Sequence, residues 1–124
     1  MRSYLIVFLG GGVGAAIRYW LSGAVYRYLP ADFPYGTLAV NISGCFLIGI
    51  LMAFQDGRFD FQPTFRLLIG IGILGGFTTF STFSYETTAL LRDGQAIQAS
   101  LNIFVSLLGC LAATFAGMTI GKLL

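Results

Sequence analysis

Three long stretches of this 124-residue chain carry no charged side chain: Phe33 to Gln55, Leu67 to Tyr85 and Gly94 to Gly121. An α-helix rises about 1.5 Å per residue, so about 20 apolar residues cross the roughly 30 Å hydrocarbon core of a bilayer. Each stretch is long enough to span. None alternates apolar and polar residues as the strands of a membrane barrel do. The seven basic and five acidic residues cluster between the stretches. With 56% apolar and 10% charged residues the chain cannot dress a water-facing surface, for which an average globular protein carries about 25% charged residues. The fold class is an all-α membrane protein.

A shorter apolar stretch, Tyr4 to Ile17, ends at Arg18. With Arg2 before it and Ala15-Ala16 near its end, it competes with a secretory signal. Apolar residues resume at Tyr19, Trp20, Leu21, Ala24 and Val25, and an arginine near a helix end can snorkel or pair inside a bundle, which favours a first crossing. Pro30 and Pro34 separate it from the second span. Asp56, Gly57, Arg58, Asp60 and Pro63 mark the second connection, and Arg92-Asp93-Gly94 the third. The expected organisation is one four-helix transmembrane domain over 1–124, with helices near 3–28, 36–54, 65–91 and 96–122.

Lysine and arginine normally mark the cytoplasmic side. Here Arg2, Arg58, Arg66 and Lys122 fall on one face and Arg18, Arg27 and Arg92 on the other, almost no bias. Such a chain can insert either way up, and two opposed copies would supply the inverted repeat that larger transporters encode in one chain. Four helices alone also struggle to enclose a water-filled path, so an oligomer is expected. Glycines spaced four apart (Gly10 with Gly14, Gly72 with Gly76, Gly117 with Gly121) suit close helix packing in lipid. The net charge of +2 is too small and scattered for nucleic acid. Cys45 and Cys110, each inside an apolar run, read as packing residues.

The chain has no histidine and no pair of acidic residues inside a span, so acid-base catalysis and metal hydrolysis lack residues, and an enzyme is not expected. The unusual segment is Gly75-Gly76-Phe77-Thr78-Thr79-Phe80-Ser81-Thr82-Phe83-Ser84. Two glycines lead into an aromatic at every third position, with hydroxyls between. Hydroxyls bunched after a glycine pair point to a helix broken near its middle, with backbone groups released to bind something; the alternative is a continuous helix whose hydroxyls bond back one turn. In a broken helix, freed carbonyls can hold a cation and the N-terminus of the second half favours an anion. Phe rings presented edge-on can also contact an anion. Asn41 offers amide donors from the second span. Asn102, Ser106, Cys110 and Thr114 form one stripe on the fourth, of weak donors suited to a partly dehydrated small anion or simply to interhelical hydrogen bonds.

These segments, with Gly10-Gly11-Gly12-Val13-Gly14-Ala15-Ala16-Ile17-Arg18-Tyr19 and Gly36-Thr37-Leu38-Ala39-Val40-Asn41-Ile42-Ser43-Gly44, give the whole chain its resemblance to the Fluc, or CrcB, family of small fluoride channels. The resemblance implies an antiparallel dual-topology homodimer with two fluoride pores and a structural sodium ion at the dimer interface. By position, Phe80 and Phe83 look like the pore-lining phenylalanines, with Asn41 beside them and Ser81 and Thr82 between. Gly75 and Thr78 look like the carbonyl donors to sodium. Ser106, Cys110 and Thr114 are similar to the polar track of the fourth helix. Two departures stand out: Cys110 replaces an expected hydroxyl, and Asn102 stands where some relatives carry tyrosine.

The expected function is passive, selective fluoride export that relieves fluoride toxicity, from a multi-pass protein of the bacterial inner membrane. Its expected partners are fluoride, membrane lipid and a second copy of the chain. The alternative is a small multidrug-type, proton-coupled exporter of cationic compounds, which needs a membrane-embedded carboxylate. The first helix has none. Glu86 in the third span is the one candidate, and it reads instead as a structural or vestibule residue, or as the partner of Arg18 or Arg92.

Overall fold

The computed structural model describes residues 1–57 and 61–124. Arg58 and Asp60, counted above in the second connection, lie outside the described residues. Four helices among the described residues are long and apolar enough to cross a membrane: Arg2–Val25, Tyr35–Asp56, Pro63–Arg92 and Ala96–Leu123. The first is helix α1 (Arg2–Val25), and the second is α2 (Tyr35–Gly57). The third begins with α3 (Pro63–Arg66), where Pro63 takes the first-turn position at which a missing N–H costs nothing. It continues through a wider π-helical stretch, Leu67–Leu74, to a final turn, α4 (Gly75–Phe77). Thr78 (φ −80°, ψ 158°) and Thr79 (φ −152°, ψ 118°) are extended, and α5 (Phe80–Arg92) follows. The fourth crossing is α6 (Ala96–Leu123).

The turn between α5 and α6 follows from Gly94, whose φ of 75° is left-handed. The Gly94 N–H donates to the Leu91 carbonyl at 3.1 Å and the Gln95 N–H to the Leu90 carbonyl at 2.8 Å, a Schellman closure of α5. The tight reversal leaves α6 running back beside the other spans.

Two parallel helix pairs hold the bundle. Helix α1 lies along the third crossing: a Cβ on Gly10 would sit 2.7 Å from the Leu68 carbonyl oxygen, and one on Gly14 would collide with the Ile73 carbonyl. Helix α2 lies along α6, with Ile42 against Gly109, the Phe46 carbonyl against Gly117, and Ile50 with Ala53 against Gly121. Backbones can approach this closely only where side chains are absent, and in lipid such contact supplies much of the association energy. Val40, Leu51, Ala53, Leu74, Phe77 and Ala99 make up the buried apolar core. The outer faces are also apolar. Phe8 and Trp20 on α1 and Phe104, Leu108, Leu111 and Phe115 on α6 are exposed, the inverse of a protein surrounded by water.

Candidate functional site

The two extended residues are fixed by a side chain from another helix. Asn41 of α2 donates from Nδ2 to the Thr79 carbonyl oxygen at 2.9 Å, and its Oδ1 accepts from the Thr79 N–H at 2.8 Å. The amide thus satisfies both backbone groups of a residue that has left helical geometry, as an apolar medium requires. Thr79 then caps α5, its Oγ1 accepting from the Thr82 N–H at 3.2 Å and donating to Thr82 Oγ1 at 3.0 Å. Thr79→Val keeps the shape and loses the cap. Its expected cost is about 1 kcal/mol, read as a lower thermal midpoint in detergent, with Thr79→Ser restoring most of it.

These bonds redirect two N–H groups. In an uninterrupted helix the Thr79 N–H would donate to the Gly75 carbonyl and the Thr82 N–H to that of Thr78. Both instead go to side chains, which releases the Gly75 and Thr78 carbonyls from their helical partners. Arg18 Nη1 of α1 approaches the Thr78 oxygen at 3.3 Å. Gly75 itself is exposed on the chain's outer face.

A cleft of about 300 Å³ opens beside this point, lined by Asn41, Cys45, Thr78, Thr79, Phe80, Phe83, Ser106 and Cys110, with Leu107 and Leu111. The structure therefore brings together Asn41, Phe80, Phe83, Ser106 and Cys110 from three separate crossings. The Phe80 and Phe83 rings lie 5.4 Å apart, tilted at 46°. Phe80 is 74% exposed, so one side of the cleft is open in the single chain. Its donors are the second N–H of Asn41 Nδ2, the Ser106 hydroxyl, the Cys45 and Cys110 thiols and the positive N-terminus of α5. The Ser106 hydroxyl donates to Asn102 Oδ1 at 3.3 Å, longer than a good O–H···O bond of about 2.8 Å, so turning that hydrogen bond to an anion costs little.

Other residues singled out from the sequence lie elsewhere. Thr82 and Arg18 line a second cleft, of about 370 Å³, together with Ser22, Thr37 and Thr79. Thr79 is common to both clefts. Ser81 is exposed, its hydroxyl 3.3 Å from Thr79 Oγ1. Thr114 bonds back to the Cys110 carbonyl at 3.0 Å and does not line the first cleft. Asn102, only 2% exposed, donates to Thr87 Oγ1 at 2.9 Å and ties α6 to α5. Glu86 has neither Arg18 nor Arg92 as its hydrogen-bond partner. Its Oε1 accepts from Thr37 Oγ1 at 2.9 Å, while Oε2 is buried with no hydrogen-bond partner among the described residues. Thr37, Thr79 and Cys45 are the site residues that sequence reasoning passed over. The first two stand inside quoted motifs, but nothing local distinguishes them from their neighbours.

Four helices apolar enough to cross a membrane, with a small and mostly apolar cleft to which Asn41, Ser106 and Cys110 bring polar groups, define a multi-pass membrane protein. Residues 5–118 match the family described as CrcB-like protein, Camphor Resistance (CrcB), and the chain belongs to that family. It is 47% identical to the "Fluoride-specific ion channel FluC" of Citrifermentans bemidjiense over the full length of both chains. Two further proteins of that name resemble it as well: that of Geotalea daltonii at 47% over 98% of each chain, and that of Geobacter sulfurreducens at 48% over 95% of each.

Proposed function

We infer that the protein is a fluoride-selective channel, not an enzyme, that lets fluoride leave the cell passively across the inner membrane and so relieves fluoride toxicity. The observation that carries this reading is the cleft in which the Phe80 and Phe83 rings, the Ser106 and Cys110 donors and the N-terminus of α5 meet around the Asn41-anchored peptide of Thr79. Fluoride holds its hydration shell strongly, so a path must replace water with several donors, none of which traps it. A set without lysine meets that condition: ring edges, an amide, a hydroxyl and a thiol are each weak partners. The relatives named as fluoride channels weigh against the multidrug-exporter alternative.

The third crossing is read as a helix broken at Thr78-Thr79, and the working unit as an antiparallel homodimer of dual topology. Support comes from what one chain leaves uncovered. Most of α1 and α6 is left uncovered, Gly75 faces outward, and the cleft is open at Phe80. A structural sodium ion at the dimer interface fits the released carbonyls of Gly75 and Thr78, since oxygen donors suit a hard cation. The Thr78 oxygen has a second lone pair beyond the one turned to Arg18. Those two carbonyls from each subunit would hold the ion, which would supply positive charge that joins the subunits.

The test is fluoride efflux from liposomes holding purified protein, followed with a fluoride electrode. Phe80→Ile and Phe83→Ile remove the ring quadrupole while keeping apolar bulk, and each is expected to lower efflux at least about tenfold, a barrier change near 1.4 kcal/mol. Gel filtration should show unchanged assembly. Normal efflux in both variants would overturn the assignment of the rings.

A further inference from the structure

Cys45 on α2 and Cys110 on α6 are both free thiols, and both line the cleft of Asn41 and Phe83. The parallel packing of α2 on α6 sets them at one level. Ile42 meets Gly109 on one side and the Phe46 carbonyl meets Gly117 on the other, so Cys45 and Cys110 fall between two fixed contacts. Both residues line the same cleft of about 300 Å³. Two soft ligands from separate, tightly joined helices thus line one cleft beside the candidate anion path.

We propose that Cys45 and Cys110 form a two-thiolate site for a soft divalent cation that favours linear two-coordination, typified by the mercuric ion, and that its occupation obstructs the cleft. Thiolate donors select soft metals. Zinc would need about four ligands, and among the described residues no group of three or more His, Cys, Asp or Glu stands together to supply them. In the binding step two S–H bonds break and two S–Hg bonds form: Hg²⁺ and two thiols give a neutral dithiolate complex and two protons released to solvent. Nothing is oxidised or reduced. The complex carries no net charge, so its surroundings of Leu107 and Leu111 do not oppose it. A monovalent soft cation such as Ag⁺ between the same thiolates would leave a net negative charge there, which burial disfavours. Placed beside Phe83 and Ser106, the metal would occupy the space an anion needs.

The effect on efflux rests on the proposed channel function; metal retention does not, so the two can fail separately. The intact protein in detergent, treated with mercuric acetate in chloride-free buffer and washed with excess glutathione, is expected to retain one mercury per chain by elemental mass spectrometry. A monothiol strips a singly held ion far more readily than a chelated one, so Cys45→Ser and Cys110→Ser should each cut retention at least about tenfold. Zn²⁺ and Ag⁺ should wash out. In liposomes Hg²⁺ should block efflux through the parent protein, and each single variant should escape the block, judged against its own untreated rate. Equal retention in either single variant would overturn the two-thiolate site. Full retention with undiminished efflux would overturn the obstruction. If the untreated protein passes no fluoride, the channel reading fails and retention still decides the site.

Discussion

Asn41→Ala is expected to reduce fluoride efflux by well over about tenfold and to lower thermal stability as well, because one side chain serves both the fold and the cleft. The amide satisfies the Thr79 N–H and carbonyl together. Its removal leaves two backbone groups without partners in an apolar setting, at about 1–3 kcal/mol each. Asn41→Asp separates the two roles. Its carboxylate still accepts from the Thr79 N–H, so more of the fold should survive, but it donates nothing to the Thr79 carbonyl and places negative charge where an anion must pass. Efflux should be lost in both variants, with the thermal midpoint, followed by the fluorescence of Trp20, falling further in the alanine. Normal efflux through Asn41→Ala would show that the Thr79 peptide is not part of the path.

The second large effect concerns assembly of the bundle. Valine at Gly14 would drive its side chain into the Ile73 carbonyl and lie within 2.8 Å of the Phe77 nitrogen; valine at Gly117 would meet the Phe46 carbonyl and the Ile50 nitrogen. Backbone atoms on both sides cannot swing away as a flexible side chain can. Overpacking of this kind costs about 1–3 kcal/mol even in tolerant cores, and here it strikes the contacts that join the spans. Both variants should give little monodisperse protein on gel filtration in detergent. Gly12→Ala and Gly23→Ala, at positions with nothing within 4 Å, are the controls and should behave like the parent. Monodisperse Gly14→Val and Gly117→Val at parental yield would contradict the packing described.

The charge-free runs made the crossings legible because the bilayer admits few ways to bury that many apolar residues without charge. Spacing on α6 was informative only to the level of a face. Asn102, Ser106, Cys110 and Thr114 do share a stripe, yet Asn102 turns to Thr87, Ser106 and Cys110 reach the cleft, and Thr114 folds back on its own helix. A period of four fixes the direction of a side chain but not what stands opposite it. The pairings that organise the site join distant positions: Asn41 with Thr79 across 38 residues, and Thr37 with Glu86 across 49. No local pattern encodes such separations. A run of hydroxyls after two glycines likewise does not say which peptides become extended. Asn41 and the capping hydroxyl of Thr79 decide that from outside the run and within it. For Glu86, charge offers an arginine partner beside a structural role, and it is packing that supplies the hydrogen bond from Thr37.

The most direct test of the central claim is anion release from liposomes containing only the purified protein, with fluoride and chloride loaded in parallel. Fluoride release is expected, driven by its gradient once charge can move across the membrane, with chloride release no faster than from empty liposomes. No fluoride release, or chloride release at an equal rate, would contradict it.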